Sequence, residues 1–478
     1  MPRVAIIGSG VGGLCAAVRL ATDGYEVDVF ERNAVVGGKL GQRSFDGFTF
    51  DTGPSLLTLP HVFGEVFALA NMDIDVALSL IRLDPAFQYH FADGSNFAVH
   101  DDPAMTRASV NAFAGPVDAA AWAALMQRAE RAWQISERTF FAGAMDSPIA
   151  LLRRMKSPFD FVGIDAWRTL SQRSAATFTD TRMQMWLNRY ATYSGSSPWK
   201  APATLECITY IEQHFGAWHI RGGVHALARA LETACKNVGV TIHTTSDVTE
   251  VVEDDKAVRG VVVNDTVHAC DVVLANCDAE HLYRDLVPRR KQLRQVKRAG
   301  RSSSGFAMLL AVEGTTPGLR HHNVWFSADQ EREFEQIFGG SGLADEPTIY
   351  VCCSSVTDES AAPTGHENWF VLVNVGAGAT TDWSAYGSRI IERLGIEARV
   401  VRREDISPQD IADRYRAPGG AIYGASSNGK RAAFLRASNR GPLRGLYLLG
   451  GSSHPGGGLP LVATSAAIAS RMVKEDFT

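Results

Sequence analysis

The stretch from Arg3 to Glu31 most constrains what this chain can fold into. Arg3-Val4-Ala5-Ile6-Ile7-Gly8 is a continuous apolar run of the kind found in a buried parallel strand. Gly8-Ser9-Gly10-Val11-Gly12-Gly13 follows, then a helical stretch from Leu14 to Ala21 with arginine only at Arg19. A second strand, Glu26-Val27-Asp28-Val29-Phe30, ends at the acid Glu31. A glycine triplet alone says little, but strand, glycine turn, helix, strand and acid in this order predict a dinucleotide site. Gly8 permits the tight turn, Gly10 lets backbone N–H groups approach a pyrophosphate, and Gly13 lets helix and strand pack closely. The helix N-terminus favours the phosphate charge. Glu31 is suited to accept from ribose hydroxyls and repels a 2′-phosphate, which argues against NADP.

Later residues choose the nucleotide. Arg32 leads to Gly37-Gly38-Lys39, and a second cluster, Asp51-Thr52-Gly53-Pro54-Ser55, follows Phe48 and Phe50. An NAD site has little use for further glycine turns so soon. FAD is longer and lies extended, so more backbone must come near its ribityl chain and ring. Near the other end, Gly445-Leu446-Tyr447-Leu448-Leu449 precedes Gly450-Gly451-Ser452-Ser453-His454-Pro455-Gly456-Gly457-Gly458-Leu459-Pro460. This predicts a strand returning to the first sheet, a bare-backbone loop around the flavin, and a helix from Leu461 to Met472 pointing its N-terminus at the ring. His454 is the one side chain of that loop with acid/base range, placed either to hold the loop or to share in the chemistry.

Composition sets limits around this reading. The chain has 478 residues, 45% hydrophobic and 21% charged, which predicts two or three globular domains. A net charge of −5 gives no basic field for nucleic acid. The seven cysteines show no CxxC or Cys/His ligand spacing, so a reducing compartment and no metal are expected. No leader precedes the first strand, which predicts a cytoplasmic protein. Gly445 to Ser470 lacks Asp, Glu, Lys and Arg, but its central Ser, His, Gly and Pro residues oppose a membrane span.

Together, GSGVGG…ER…GGK…DTGPS and GLYLLGGSSHPGGGLP resemble the bacterial carotenoid (phytoene-type) desaturases. These are FAD-dependent members of the amine-oxidase-like flavoprotein superfamily. Leu83 to Gly94, Arg189 to Thr204, Gly222 to Leu227 and His321 to Phe338 extend the resemblance over nearly the whole chain. It implies an α/β fold with a Rossmann-like FAD-binding domain (residues 1–75, 221–285 and 440–478), an interleaved mixed-sheet substrate domain (76–100 and 286–440) and a helical subdomain (101–220). It implies FAD contacts at Gly8, Gly10, Gly12, Gly13, Glu31, Arg32, Gly38, Lys39, Gly53, Pro54, Ser55, Val248, Gly450, Gly451, Pro455, Gly458 and Leu459, with adenine near the Val248 backbone. The GGG form of the loop leans towards enzymes of later, conjugated or hydroxylated carotenoids, of the 3,4-desaturase type. Phytoene-type members carry an Asp-x-x-Arg pair; here Ala150 stands at the acid position and Arg153 keeps the arginine.

The expected reaction removes hydride and proton from a CH–CH unit of a long apolar polyene, with Arg153 and His454 as candidate catalytic residues and oxygen or a quinone as electron acceptor. Arg153, Arg154 and Lys156 with Phe159 and Phe161 suit either a helix docked on an anionic membrane or a solvated basic face over an aromatic core. The apolar substrate favours membrane docking. The run Arg289 to Arg301 reads as a solvated helix. Rival readings on the same scaffold are a carotenoid oxidase, a polyene isomerase or an amine oxidase with an aromatic cage; a lipid chaperone without FAD is a rival of another class.

Overall fold

The computed structural model describes residues 2–145, 153–157, 160, 163–165, 167–429 and 432–477, with the backbone alone at 433 and 434. Ala150, Phe159 and Phe161 lie outside the described residues.

A five-stranded, all-parallel sheet organises the first layer. Its strands are β1 (Arg3–Ile7), β2 (Glu26–Phe30), β3 (Thr241–His243), β4 (Val272–Ala275) and β5 (Leu446–Leu448), in the order β5-β4-β1-β2-β3. Val4 to Ile7 and all of β4 and β5 are buried, because both sheet faces are covered. The helices α1 (Val11–Thr22), α2 (His225–Asn237) and α3 (Leu459–Phe477) pack together, with Leu14, Leu231 and Val473 in one core. Truncating a side chain as buried as Leu14 should cost about 2–5 kcal/mol.

The chain runs from β1 to β2 on one side and places β4 on the other. The connection therefore reverses between β1 and β4, at the carboxyl edge of the sheet, where α/β folds hold ligands. Gly8, Glu31, Asn276 and Gly450 leave the sheet at this edge. A three-stranded antiparallel sheet, Val248–Asp254, Ala257–Val263 and Thr266–Ala269, covers it alongside.

The second large sheet has seven strands, in the order Val400–Ile406, Ser304–Glu313, His366–Val375, Ile349–Cys353, His322–Trp325, Phe87–His90, Asn96–Val99. It is mixed: His322–Trp325 pairs parallel with Phe87–His90, and the other pairings are antiparallel. A helical layer packs on it. Its longest member, Pro103–Ser136, is capped by the Asp102 carboxylate on the Ala104 amide and breaks at Gly115 (φ 84°) and Pro116. The helix Arg290–Ala299 buries only Ala299, as expected for a solvated helix. Among the described residues, no helix is long and apolar enough to cross a membrane.

Candidate active site

One cavity of roughly 510 Å³ runs from the carboxyl edge of the parallel sheet to the inner face of the mixed sheet. Gly8, Gly10, Glu31, Arg32, Gly38, Lys39, Gly53, Pro54, Ser55, Val248, Gly451, Gly458 and Leu459 all line it. These residues come from distant parts of the chain, so folding brings together most of the set implied by sequence.

Gly8 holds φ +94°, and a Cβ on Gly13 would stand 2.2 Å from the Gly8 carbonyl oxygen. Gly12 packs instead against Leu449 and Val462, and neither it nor Gly13 lines the cavity. Gly10 caps α1 without a side-chain bond, leaving the first-turn amides for an anion. Gly450 also stands behind the wall: a Cβ there would lie 2.7 Å from Asn276 Oδ1. Asn276, at the end of β4, lines the cavity and donates from Nδ2 to the Gly8 carbonyl at 3.1 Å. It bonds to the N-terminal glycine turn and stands against the C-terminal one. The sequence reading missed it, although a polar residue directly after a buried strand was the available signal.

Glu31 is buried and its carboxylate already accepts four bonds, from the amide and hydroxyl of Ser9 and the amide and side chain of Asn33, at 2.8–2.9 Å. A ribose diol would have to exchange with one of these donors. Arg32 donates to the carbonyls of Asp413 and Arg414, each at 2.7 Å, so its charge steadies a helix end. Lys39 donates to the Ile422 carbonyl at 2.5 Å; burial lowers its pKa, opposed by Asp278. Arg436, buried behind the wall, donates to the Gly451 carbonyl at 2.7 Å, and burial pulls its pKa down to about 10. Bare backbone, uncapped amides and buried cations fit an extended dinucleotide with a flavin ring.

The two candidate catalytic residues stand elsewhere. Arg153 is exposed and does not line the cavity; its neighbour Arg154 is bonded to the carbonyls of Gly143 and Ala144. His454 is buried, and its Nε2 donates to the Phe140 carbonyl at 2.7 Å. Burial pushes its pKa down to about 4, so it is neutral at pH 7. Neither His454 nor Pro455 lines the cavity. Of the two roles open to His454, holding the loop is the one its geometry fits.

Apart from Ser55, the far end of the cavity holds residues to which sequence assigned no chemistry. Arg189 lines it, with its guanidinium over the rings of Phe87 (4.9 Å), Tyr193 (5.4 Å) and Tyr89 (5.6 Å). Burial works against this charge, but Tyr89, Tyr193 and Glu212 more than offset it and the group stays protonated. Glu212 in turn accepts from Tyr190 at 2.8 Å and from Tyr193. Glu333 also lines the cavity, accepting from the Thr348 amide and hydroxyl at 2.7 Å each, and burial raises its pKa to about 7. Ser55 Oγ and Tyr350 Oη meet on the wall at 2.6 Å. Between these groups the surface is apolar: Val324, Phe326, Phe334, Phe370 and Leu372.

Residues 11–471 match the family described as flavin containing amine oxidoreductase. The chain belongs to this family. Its cofactor is FAD, and it is an FAD-dependent oxidoreductase with an α/β fold. Among curated relatives, the chain is 33% identical to a 1-hydroxycarotenoid 3,4-desaturase of Flavobacterium sp. (strain P99-3), over 99% of each chain. It is 31% identical to a 4,4'-diapolycopene oxygenase of Methylomonas sp, covering 99% of this chain and 98% of that one. Among solved structures, an oxidoreductase from Methanosarcina mazei superposes with a TM-score of 0.65 at 17% identity, covering 99% of this chain and 100% of that one. Putrescine oxidase with bound putrescine superposes at 0.64 and 13% identity, over 99% and 98%. At 13–17% identity these two likenesses show the fold alone.

Proposed function

We propose that this protein is an FAD-dependent carotenoid desaturase that forms a conjugated C=C bond in a long, acyclic polyene. The observation that carries this reading is the single cavity joining the glycine-built edge to an apolar, aromatic end. The relatives named for carotenoid desaturation and oxygenation support the substrate class. The residues lining the cavity near β1 and β2, with Val248, Lys39, Gly53, Pro54 and the Gly451–Leu459 loop, would hold the nucleotide. Bound FAD supplies the two-electron acceptor for the C–H bond that breaks.

The chain's own residues bind and orient. Val324, Phe326, Phe334 and Phe370 press a flat polyene into register and exclude water, and such orientation can supply up to about 7–11 kcal/mol of a barrier. The second hydrogen leaves as a proton. Glu333 is the buried lining carboxylate whose pKa of about 7 lets it take that proton near neutrality.

Arg189 sharpens the substrate. Its aromatic cage is filled by its own guanidinium, which leaves no cage for a cationic amine at this end and disfavours an amine oxidase. One of its five N–H groups donates to Tyr89 at 3.3 Å; others are available to a hydroxyl or carbonyl on the polyene end. This favours a later-acting, oxygen-bearing substrate. Docking on an anionic bilayer would use the exposed Arg153 and Trp167. Oxygen or a quinone would reoxidise the cofactor.

The test uses flavin-loaded protein with lipid vesicles carrying an acyclic carotenoid, either plain or 1-hydroxylated, with air or a quinone as acceptor. Loss of two hydrogens with a red shift, faster on the hydroxylated chain, is expected. Gain of oxygen would make the protein an oxidase. An unchanged pigment with intact flavin would overturn the carotenoid reading.

A further inference from the structure

Under the cavity wall, three histidines meet. The rings of His219 and His321 lie 4.7 Å apart, centroid to centroid, and those of His321 and His322 lie 4.5 Å apart. All three are buried, and in each the Nε2 atom has no hydrogen-bond partner among the described residues. Asp358 is 3.6 Å from His219 Nε2, too far for a hydrogen bond. Buried polar atoms are ordinarily paired, so three bare nitrogens in one cluster need a cause.

In two of them the other ring nitrogen is held. His321 Nδ1 lies 2.8 Å from Thr357 Oγ1, and His322 Nδ1 lies 2.8 Å from Tyr350 Oη. An oxygen partner on Nδ1 fixes the ring and leaves Nε2 free, as in a histidine that binds a metal. A softer atom completes the group. Cys352 is the direct cross-strand partner of His322 in the antiparallel ladder, so both side chains leave the same face. One ligand atom each from His321, His322 and Cys352 lie within 4.8 Å of one another.

We propose that His321 Nε2, His322 Nε2 and Cys352 Sγ form a binding site for one borderline divalent transition metal of the zinc type, with His219 as the nearest further imidazole. Nitrogen and thiolate donors select zinc over magnesium or calcium. Binding forms the metal–sulfur bond and releases the Cys352 thiol proton to solvent, with no change of oxidation state. Metal–ligand bonds of about 2.0–2.3 Å require the three side chains to draw together on binding. The site would staple the strands His322–Trp325 and Ile349–Cys353. Through Tyr350 Oη it would steady Ser55 on the cavity wall.

The test titrates flavin-loaded, full-length protein, freed of metal by a chelator, with Zn²⁺ alone and then with Co²⁺ as a spectroscopic stand-in. One equivalent should bind at micromolar or lower concentration, and cobalt should give a thiolate charge-transfer band in the difference spectrum. Cys352→Ser should remove the band, and His322→Gln should weaken binding at least about tenfold. Cys353→Ser, next in sequence but bonded towards Ser355, should leave both intact. X-ray absorption of the zinc-loaded natural protein should show mixed nitrogen and sulfur ligation, a readout that needs no variant to fold. No stoichiometric binding, or binding unaltered by Cys352→Ser, or ligation without sulfur would overturn the site and leave the cluster to buried water.

Discussion

At the dinucleotide end of the cavity the wall is largely backbone, whereas at the far end it is side chain. Gly8, Gly10, Gly53, Gly451 and Gly458 line the cavity with bare chain, and Asn276 stands between the two glycine turns, bonded to Gly8. Arg189, Glu333, Tyr350 and the phenylalanines do the work at the other end, on helices and strands far apart in sequence. A backbone site depends on close approach, which one methyl group destroys. A side-chain site depends on charge and shape, which a substitution changes by degrees. The lesson is that cofactor binding should be brittle and substrate choice adjustable.

The most severe test of that contrast is Gly13→Ala. The added Cβ would meet the Gly8 carbonyl oxygen at 2.2 Å, a backbone collision that side-chain motion cannot relieve. The variant should lose about 1–3 kcal/mol and purify with almost no flavin, read from the ratio of flavin to protein absorbance. Flavin retention near the natural level would refute a backbone-built site.

Arg189→Met acts on the other end. Flavin content should stay normal, while kcat/KM for an oxygen-ended polyene falls roughly 10- to 100-fold relative to its plain counterpart. Equal losses on both substrates would remove Arg189 from recognition.

Glu333→Gln separates stability from chemistry. The folded-state pKa of Glu333 is raised from 4.5 to about 7, so between those values the folded protein holds the proton more firmly than the unfolded chain. Stability therefore falls as pH rises through that window, by up to about 3 kcal/mol. The glutamine variant should lose this slope, measured by denaturant melts at pH 5 and pH 8. Its turnover should also fall if the carboxylate receives the substrate proton.

The smallest effects belong to the residues away from the cavity. His454→Gln keeps an N–H for the Phe140 carbonyl and should change stability by no more than about 1 kcal/mol, with kcat within about threefold and its pH profile unmoved. Arg153→Ala, on the surface, should leave turnover within about twofold. A large loss of kcat in either variant would return that residue to the chemistry.

Much of the nucleotide end was legible because its signals are local. A buried parallel strand reads as an unbroken apolar run, and β2, Glu26–Phe30, has the bounds its pattern predicts. Glycine at Gly8 and Gly13 marks places where no side chain fits. Even there, spacing could not separate Gly12, which packs against Leu449, from Gly10, which faces the cavity. Arg189 and His321-His322 stood out in the sequence only as parts of stretches that resemble the desaturase family. Nothing local says that Phe87 will lie beneath the Arg189 guanidinium, or that Cys352 will face His322 across a ladder.

By itself the sequence determined the parallel sheet, the glycine turns and the FAD cofactor, because each follows from periodicity or from the absence of a side chain over a few residues. Only the tertiary structure decided that Asn276 stands between both turns and that His454 meets the Phe140 carbonyl. It also decided that a buried cation stands at the far end of the cavity and that three histidines share one buried corner. Those features depend on distances between segments hundreds of positions apart, and such distances exist only once the two sheets have packed.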